Sequence, residues 1–379
     1  TDPFAGYLLF LPRVLAWPVS ALPWQNWAIA ANLAAAFLAG LIAALVVAIL
    51  RGAGSGWFVA VVLGLLPVLA PMSGLEAINS VGSSYMLLLY AGVLMVLFRP
   101  DRGRAWTIFA TTFLLITALT IPSAVVIFVV VIVQATRGAI RPGIVAAWGG
   151  ALVAGLAAQA IVAINAATQR PVRFTGDSLS AWADSVPVSI LTYWPGLSIG
   201  EYAFFTNFTL SPSTFSGWLL VLIIVCLGLW RLNSGWREQE SSSAAAGLLL
   251  LSGLAMGLIP SAIGYTNNRY FVVPLLLWAA ALLIWFDPAI QRARPWVVAL
   301  VTVIVAIAWW PAMPASEFRS TPAPPWQEEV ARVEAKCLSD PAFVDRLIFS
   351  PFWPPNWGDG LDEPTHPNLP CTTVYTWLL

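Results

Sequence analysis

The sequence predicts an all-helical, polytopic transmembrane bundle of about ten spans, with external loops and a small C-terminal tail closed by a disulfide. Three observations predict it. Hydrophobic residues make up 59% of the 379 residues and charged residues only 9%, against about 25% charged in an ordinary soluble domain. A soluble globule of this size cannot hide so much apolar surface, so lipid must be part of the solvent. The apolar residues also fall in runs near bilayer length, and arginine gathers in alternate connections between them.

Along the chain, residues 1–23 form an external amphipathic segment. Tyr7, Leu8, Leu11, Val14, Leu15 and Val19 share one face at helical spacing, and Trp17 and Trp24 suit a membrane interface. The transmembrane bundle occupies 24–310. Its candidate spans are 24–50, 56–71, 82–98, 105–119, 122–135, 143–165, 214–231, 245–262, 269–286 and 296–310. The fourth and fifth are short and joined by Thr120-Ile121-Pro122-Ser123. They read either as two spans or as a hairpin of half-length helices. The chain opens at Thr1 on a polar-aromatic stretch; one further helix upstream is expected, giving eleven spans.

Charge sets the orientation. With the first residues outside, the internal connections hold Arg51; Arg99, Arg102 and Arg104; Arg137 and Arg141; Arg231 and Arg237; and Arg292 and Arg294. The acidic residues that share them are Asp101, Glu238, Glu240 and Asp287. Positive charge favours the cytoplasmic side, so the opposite side holds the loops 71–81 and 166–213 and the Pro-rich tail 311–379. Cys337 and Cys371 both lie in that tail and read as one disulfide in an oxidising compartment. Closing that loop contributes roughly 3–4 kcal/mol if unstrained. Cys226 lies in an apolar span as a packing residue.

Several function classes drop out. A formal net charge of +0 gives no basic field for nucleic acid. The single histidine, His366, and the single lysine, Lys336, are both in the tail. Histidine-based zinc sites, Ser-His-Asp triads and Schiff-base chemistry within the bundle are therefore excluded. No nucleotide-binding loop is recognisable. The span interiors hold almost no ionisable residue, whereas transporters tend to place charges and broken helices near the midplane. Chemistry at the external face is the better reading.

Three external clusters carry polar groups beside apolar spans: Thr1-Asp2 through Gly6-Tyr7-Leu8 to Pro12-Arg13; Glu76, Asn79 and then Tyr85 at a span start; and Asn268-Arg269-Tyr270 followed by Pro274. A fourth, the 166–213 loop with Arg170, Arg173, Asp177, Asp184 and Glu201, reads as solvated surface. In their order and shared sidedness the first three resemble the GT-C superfamily of bacterial integral membrane glycosyltransferases. Asp2 matches the catalytic acidic residue that follows the family's first helix, unless that residue lies upstream of Thr1. Glu76 resembles part of a Glu-x-x-Asn element. The resemblance implies transfer of a hexosyl or pentosyl group from a polyprenyl-phosphate donor to a cell-envelope glycan or glycolipid, with inversion. Asp2 or Glu76 is then the catalytic base, and Arg13, Asn79, Tyr85, Asn268, Arg269 and Tyr270 bind substrate. No protein metal ligand is expected, and a divalent cation is the one cofactor left open. The implied location is the bacterial inner membrane, with the active face and the C-terminus extracytoplasmic.

A carboxylate base takes the acceptor hydroxyl's proton. A cation beside the leaving phosphate contributes about 3 kcal/mol per well-placed donor, and arginine's planar fork matches phosphate oxygens. The alternatives are a transporter or flippase of lipid-linked saccharides, which needs a polar path through the bundle; an O-antigen-type polymerase or ligase, which needs several arginines in a large external loop; and a structural membrane protein, which needs no convergent charges at one face.

Overall fold

The computed structural model describes residues 8–23, 26–69, 85–98, 103–167, 214–237, 241–262, 272–309, 331, 335–339, 344–346 and 368–370, and nearly all of these are helical. In order the helices are α1 (Phe10–Ser20), α2 (Trp27–Gly52), α3 (Trp57–Leu69), α4 (Tyr85–Leu97), α5 (Gly103–Thr120), α6 (Val125–Thr136), α7 (Pro142–Ala167), α8 (Thr214–Arg237), α9 (Ser241–Ala262), α10 (Val272–Arg292) and α11 (Pro295–Trp309). A single 3₁₀ turn, Pro122–Ala124, joins α5 to α6. Helix α1 falls in the expected amphipathic segment. Leu8, Leu11, Leu15 and Val19 are half-buried, whereas Val14 and Trp17 are exposed. Helices α2 to α11 coincide one for one with the ten apolar runs.

Among the described residues, five helices contain segments long and apolar enough to cross a membrane: Ile29–Gly52, Gly103–Thr120, Pro142–Asn165, Leu219–Arg237 and Val272–Arg292. Four shorter apolar helical segments accompany them, Trp57–Val68, Tyr85–Leu97, Pro122–Thr136 and Ser242–Leu258. This is the pattern of a multi-pass membrane protein. The pair read as short resolves unequally. Helix α5 begins earlier than its apolar run and reaches 18 residues, while α6 has 12. Both pack against α7 and α4.

The chain divides into two units, Thr1–Arg13 with Ala35–Met313, and Val14–Ala34 with Pro314–Leu379. The centre of the first is α4, all of whose residues are buried. It packs against α5, α6, α9 and α10. Its contact with α3 answers a backbone problem. Pro67 has no N–H, so the carbonyl four residues earlier, Leu63, loses its helical donor. In an apolar interior an orphan carbonyl is costly. The Tyr90 hydroxyl donates to Leu63 O at 3.0 Å and fills the gap.

Small residues set the closest helix approaches, as expected where helices cannot gain from apolar burial relative to lipid. A Cβ on Gly155 would lie 2.5 Å from Ala118 Cβ, between α7 and α5. A Cβ on Gly247 of α9 would lie 2.6 Å from both Gly228 O and Leu232 N of α8. Helices α8, α9 and α10 pack in sequence, and Trp278 Nε1 donates to Leu250 O at 3.0 Å across α10 and α9. Elsewhere Phe37, Leu41, Ile161, Leu219 and Leu222 point outward as exposed apolar side chains, suited to lipid.

In the second unit, Ser20 Oγ donates to Trp17 O at 2.7 Å and Trp27 Nε1 to Leu22 O at 2.8 Å, folding the connection between α1 and α2. The tail departs from the all-helical expectation. After a helical turn at 335–339, strands β1 (Val344–Arg346) and β2 (Asn368–Pro370) pair antiparallel, with Val344 opposite Pro370. Pro370 closes β2, a strand-end position where proline's missing N–H is tolerated. Cys337 is buried, and Cys371 lies outside the described residues.

Candidate functional site

The first unit has two ends. At one, α2, α4, α6, α8 and α10 finish and α3 and α9 begin; the ends of α4, α6, α8, α9 and α10 and the turn between α2 and α3 line a cavity of about 830 Å³. The described arginines Arg51, Arg137, Arg231, Arg237 and Arg292 lie on these same helix ends and turns.

Two of these helix ends are closed by glycines in the left-handed region. After α2, Gly54 (φ 90) donates to Arg51 O and Ser55 N to Leu50 O. After α6, Gly138 (φ 65) donates to Ala135 O and Ala139 N to Gln134 O. Both are Schellman motifs, which satisfy carbonyls that a helix end leaves orphaned. Each brings an arginine to the rim. Arg51 donates to Ser55 O and lies 4.4 Å over the Trp57 ring. Arg137 donates to Gln134 Oε1 at 3.2 Å and to Gly235 O at 3.3 Å. Burial lowers the pKa of the Arg137 guanidinium. Arg231 stacks 3.4 Å from the Trp285 ring centroid and 4.7 Å from that of Trp230.

Asp287 is 7% exposed. Near the C-terminus of α10 a carboxylate opposes its own helix dipole. Its oxygens instead meet the start of α3, where Gly56 N–H approaches both at 3.2 and 3.1 Å. The α3 dipole favours negative charge there. Gln291 Nε2 adds a bond at 3.0 Å. Only glycine permits this approach, because a Cβ at position 56 would lie 2.9 Å from Asp287 Oδ1.

The other end lies one helix away, about 18 Å along α6. There α5 ends and the described chain before α1 is tied down. Gln159, 3% exposed within α7, donates from Nε2 to Leu119 O at 2.7 Å and accepts from Leu8 N at 2.9 Å. Leu119 is in the last turn of α5, so its carbonyl has no helical donor. Thr120 Oγ1 donates to Ile116 O at 2.7 Å and accepts from Leu11 N at 3.2 Å, one of the first-turn donors of α1. Between the two anchored amides sits Leu9 with φ 43, a conformation that costs a branched side chain about 1–2 kcal/mol.

Of the residues singled out in the sequence, Arg13 is half-buried in the first turns of α1, just after these anchors. Tyr85, 8% exposed, opens α4 at this same end, since the far end of α4 lines the cavity. It is a core residue in the packed centre of the bundle. Asp2, Glu76, Asn79, Asn268, Arg269 and Tyr270 lie outside the described residues. Among the described residues no three His, Cys, Asp or Glu side chains converge as metal ligands. Sequence reasoning passed over Gln134 and Gln159. Their signal is a lone amide in an otherwise apolar span, where an unbonded polar group is expensive. Asp287 was visible only as a loop charge. No family model matches the chain, and no curated protein or solved structure matches it either.

Proposed function

We propose that this chain is an integral membrane glycosyltransferase that moves a sugar from a polyprenyl-phosphate donor to an extracytoplasmic glycan or lipid acceptor, with inversion at the anomeric carbon. The observation that carries the reading is the anchoring of Leu8 and Leu11 by Gln159 and Thr120. It holds the segment that leads into Arg13 at the end of the bundle away from the arginine-rich turns. By sequence, Glu76 and Asn79 lie between α3 and α4, and Asn268, Arg269 and Tyr270 immediately precede α10. Leu69, Tyr85 and Val272, the helix residues that flank them, are the far ends of helices whose other ends lie at the cavity or next to the turn that lines it.

In this reading the arginine-rich end faces the cytoplasm of a bacterial cell, and all ten apolar helices cross or enter the inner membrane. Asp2 or Glu76 removes the acceptor hydroxyl's proton. The oxygen attacks the anomeric carbon as the bond to phosphate breaks, and polyprenyl phosphate departs on the opposite face. Arg269 and Arg13 offset the charge that develops on it, with a divalent cation as a further counter-charge. Asn79, Tyr85, Asn268 and Tyr270 hold donor and acceptor. A Cys337–Cys371 disulfide closes the external tail. It is supported by the burial of Cys337 and by the β1–β2 pairing, which brings Pro370 opposite Val344.

The test is sugar transfer by the full-length protein in nanodiscs, with labelled polyprenyl-phosphate sugars and a membrane-extract acceptor. Release of polyprenyl phosphate, lost in Arg269→Ala and on removal of the N-terminal acidic residue, is the expected result. A folded protein that releases none from any donor, yet moves lipid-linked sugar across vesicles, would make it a transporter.

A further inference from the structure

The cavity at the arginine-rich end plays no part in sugar transfer at the opposite end. Its size, about 830 Å³, falls within the range of about 300–1,000 Å³ in which small ligands are enclosed. Two opposite charges line it, Arg137 and Asp287, and among the described residues neither has an oppositely charged partner. Arg137 spends two N–H groups on Gln134 Oε1 and Gly235 O; a guanidinium has five. Asp287 receives only neutral donors, Gly56 N–H and Gln291 Nε2. Gln134 is 5% exposed, and its Nε2 donates to nothing among the described residues. Asp287 is buried and Arg137 half-buried, and among the described residues each meets only neutral partners. A ligand carrying both signs gives each a charged partner at once.

We propose that this cavity binds a phosphoethanolamine group, its phosphate held by Arg137 and the Gln134 amide and its ammonium by Asp287. Arginine presents paired donors to phosphate oxygens, and a primary ammonium supplies three donors to a carboxylate. Leu97, Phe98 and Ile284 add apolar wall, which suits the glycerol end of a lipid. The group is delivered either as a phosphatidylethanolamine headgroup or as free phosphoethanolamine.

Native mass spectrometry of the full chain in detergent tests this with four probes: phosphatidylethanolamine, phosphatidylglycerol, phosphatidylcholine and soluble phosphoethanolamine. Phosphatidylethanolamine should be retained roughly tenfold more tightly than the other two lipids. The first of these lacks the ammonium, and the second has an ammonium with no N–H for Asp287. Stepwise N-methylation of the headgroup should weaken binding to the unmutated protein in order, which reads Asp287 without disturbing its cap on α3. Arg137→Gln should weaken binding roughly tenfold. Soluble phosphoethanolamine binding as tightly as the lipid identifies a free ligand; binding of the lipid alone identifies the headgroup. Equal retention of all three lipids, or retention unchanged by Arg137→Gln, would overturn the proposal.

Discussion

At the arginine-rich end, α2 and α6 stop on their own residues. Gly54 and Gly138 turn the chain left-handed, and the last carbonyls find donors two to five residues on. At the other end, α5 stops on residues from elsewhere in the chain. The Leu119 carbonyl is met by Gln159, and the Leu11 amide by Thr120, 109 residues away. Both ends meet the requirement that backbone groups near lipid be bonded. A local solution is written in adjacent letters. A long-range solution leaves only a solitary amide or hydroxyl in an apolar run, which declares that it needs a partner but not which one.

Breaking the long-range staple should have the largest effect. Gln159→Leu leaves the Leu119 carbonyl and the Leu8 amide without partners. It is expected to lower stability by about 3 kcal/mol, read as the apparent melting temperature in nanodiscs, because each orphaned buried group costs about 1–3 kcal/mol. If the loss is only a few tenths, water is reaching this end and the staple is incidental. Tyr90→Phe sharpens the scale from a position at neither end. It removes the hydroxyl that donates to Leu63 O beside Pro67 and should cost about 2 kcal/mol by the same reasoning. Gly54→Ala and Gly138→Ala should each cost about 1 kcal/mol, since a Cβ opposes the left-handed conformation while open space surrounds both positions. These two effects should add, because each cap is closed within its own turn. A Gly138→Ala effect as large as that of Gln159→Leu would erase the difference between the ends.

The same contrast explains what was legible. The ten apolar runs became ten helices because a long apolar run with almost no charge has few alternatives among lipid. Pro142 and Pro295 open α7 and α11 at first helical positions, where a missing N–H costs nothing. The arginine alternation predicted which helix ends share a side, and four of those turns do line one cavity. What could not be read was the inward face of each helix. In α2, Ala39 and Ile42 face in while Phe37 and Leu41 face out, and all four are apolar, so periodicity carries little signal. The all-buried state of α4, and with it the core position of Tyr85, was hidden for the same reason. Asp287 was misread as a loop charge because its partner, the N–H of Gly56, lies 231 residues away.

The sidedness of the two ends is the claim on which the proposed function rests, and cysteine labelling tests it most directly. In a Cys226→Ser background, Asn165→Cys and Ala53→Cys each add one exposed thiol, at the far end of α7 and beside the arginine-rich cavity. Intact cells are treated with a membrane-impermeant maleimide before and after permeabilisation. Asn165→Cys should react in intact cells, and Ala53→Cys only once the membrane is opened. The reverse pattern would put the arginine-rich end outside and contradict extracytoplasmic sugar transfer at the end that holds Arg13.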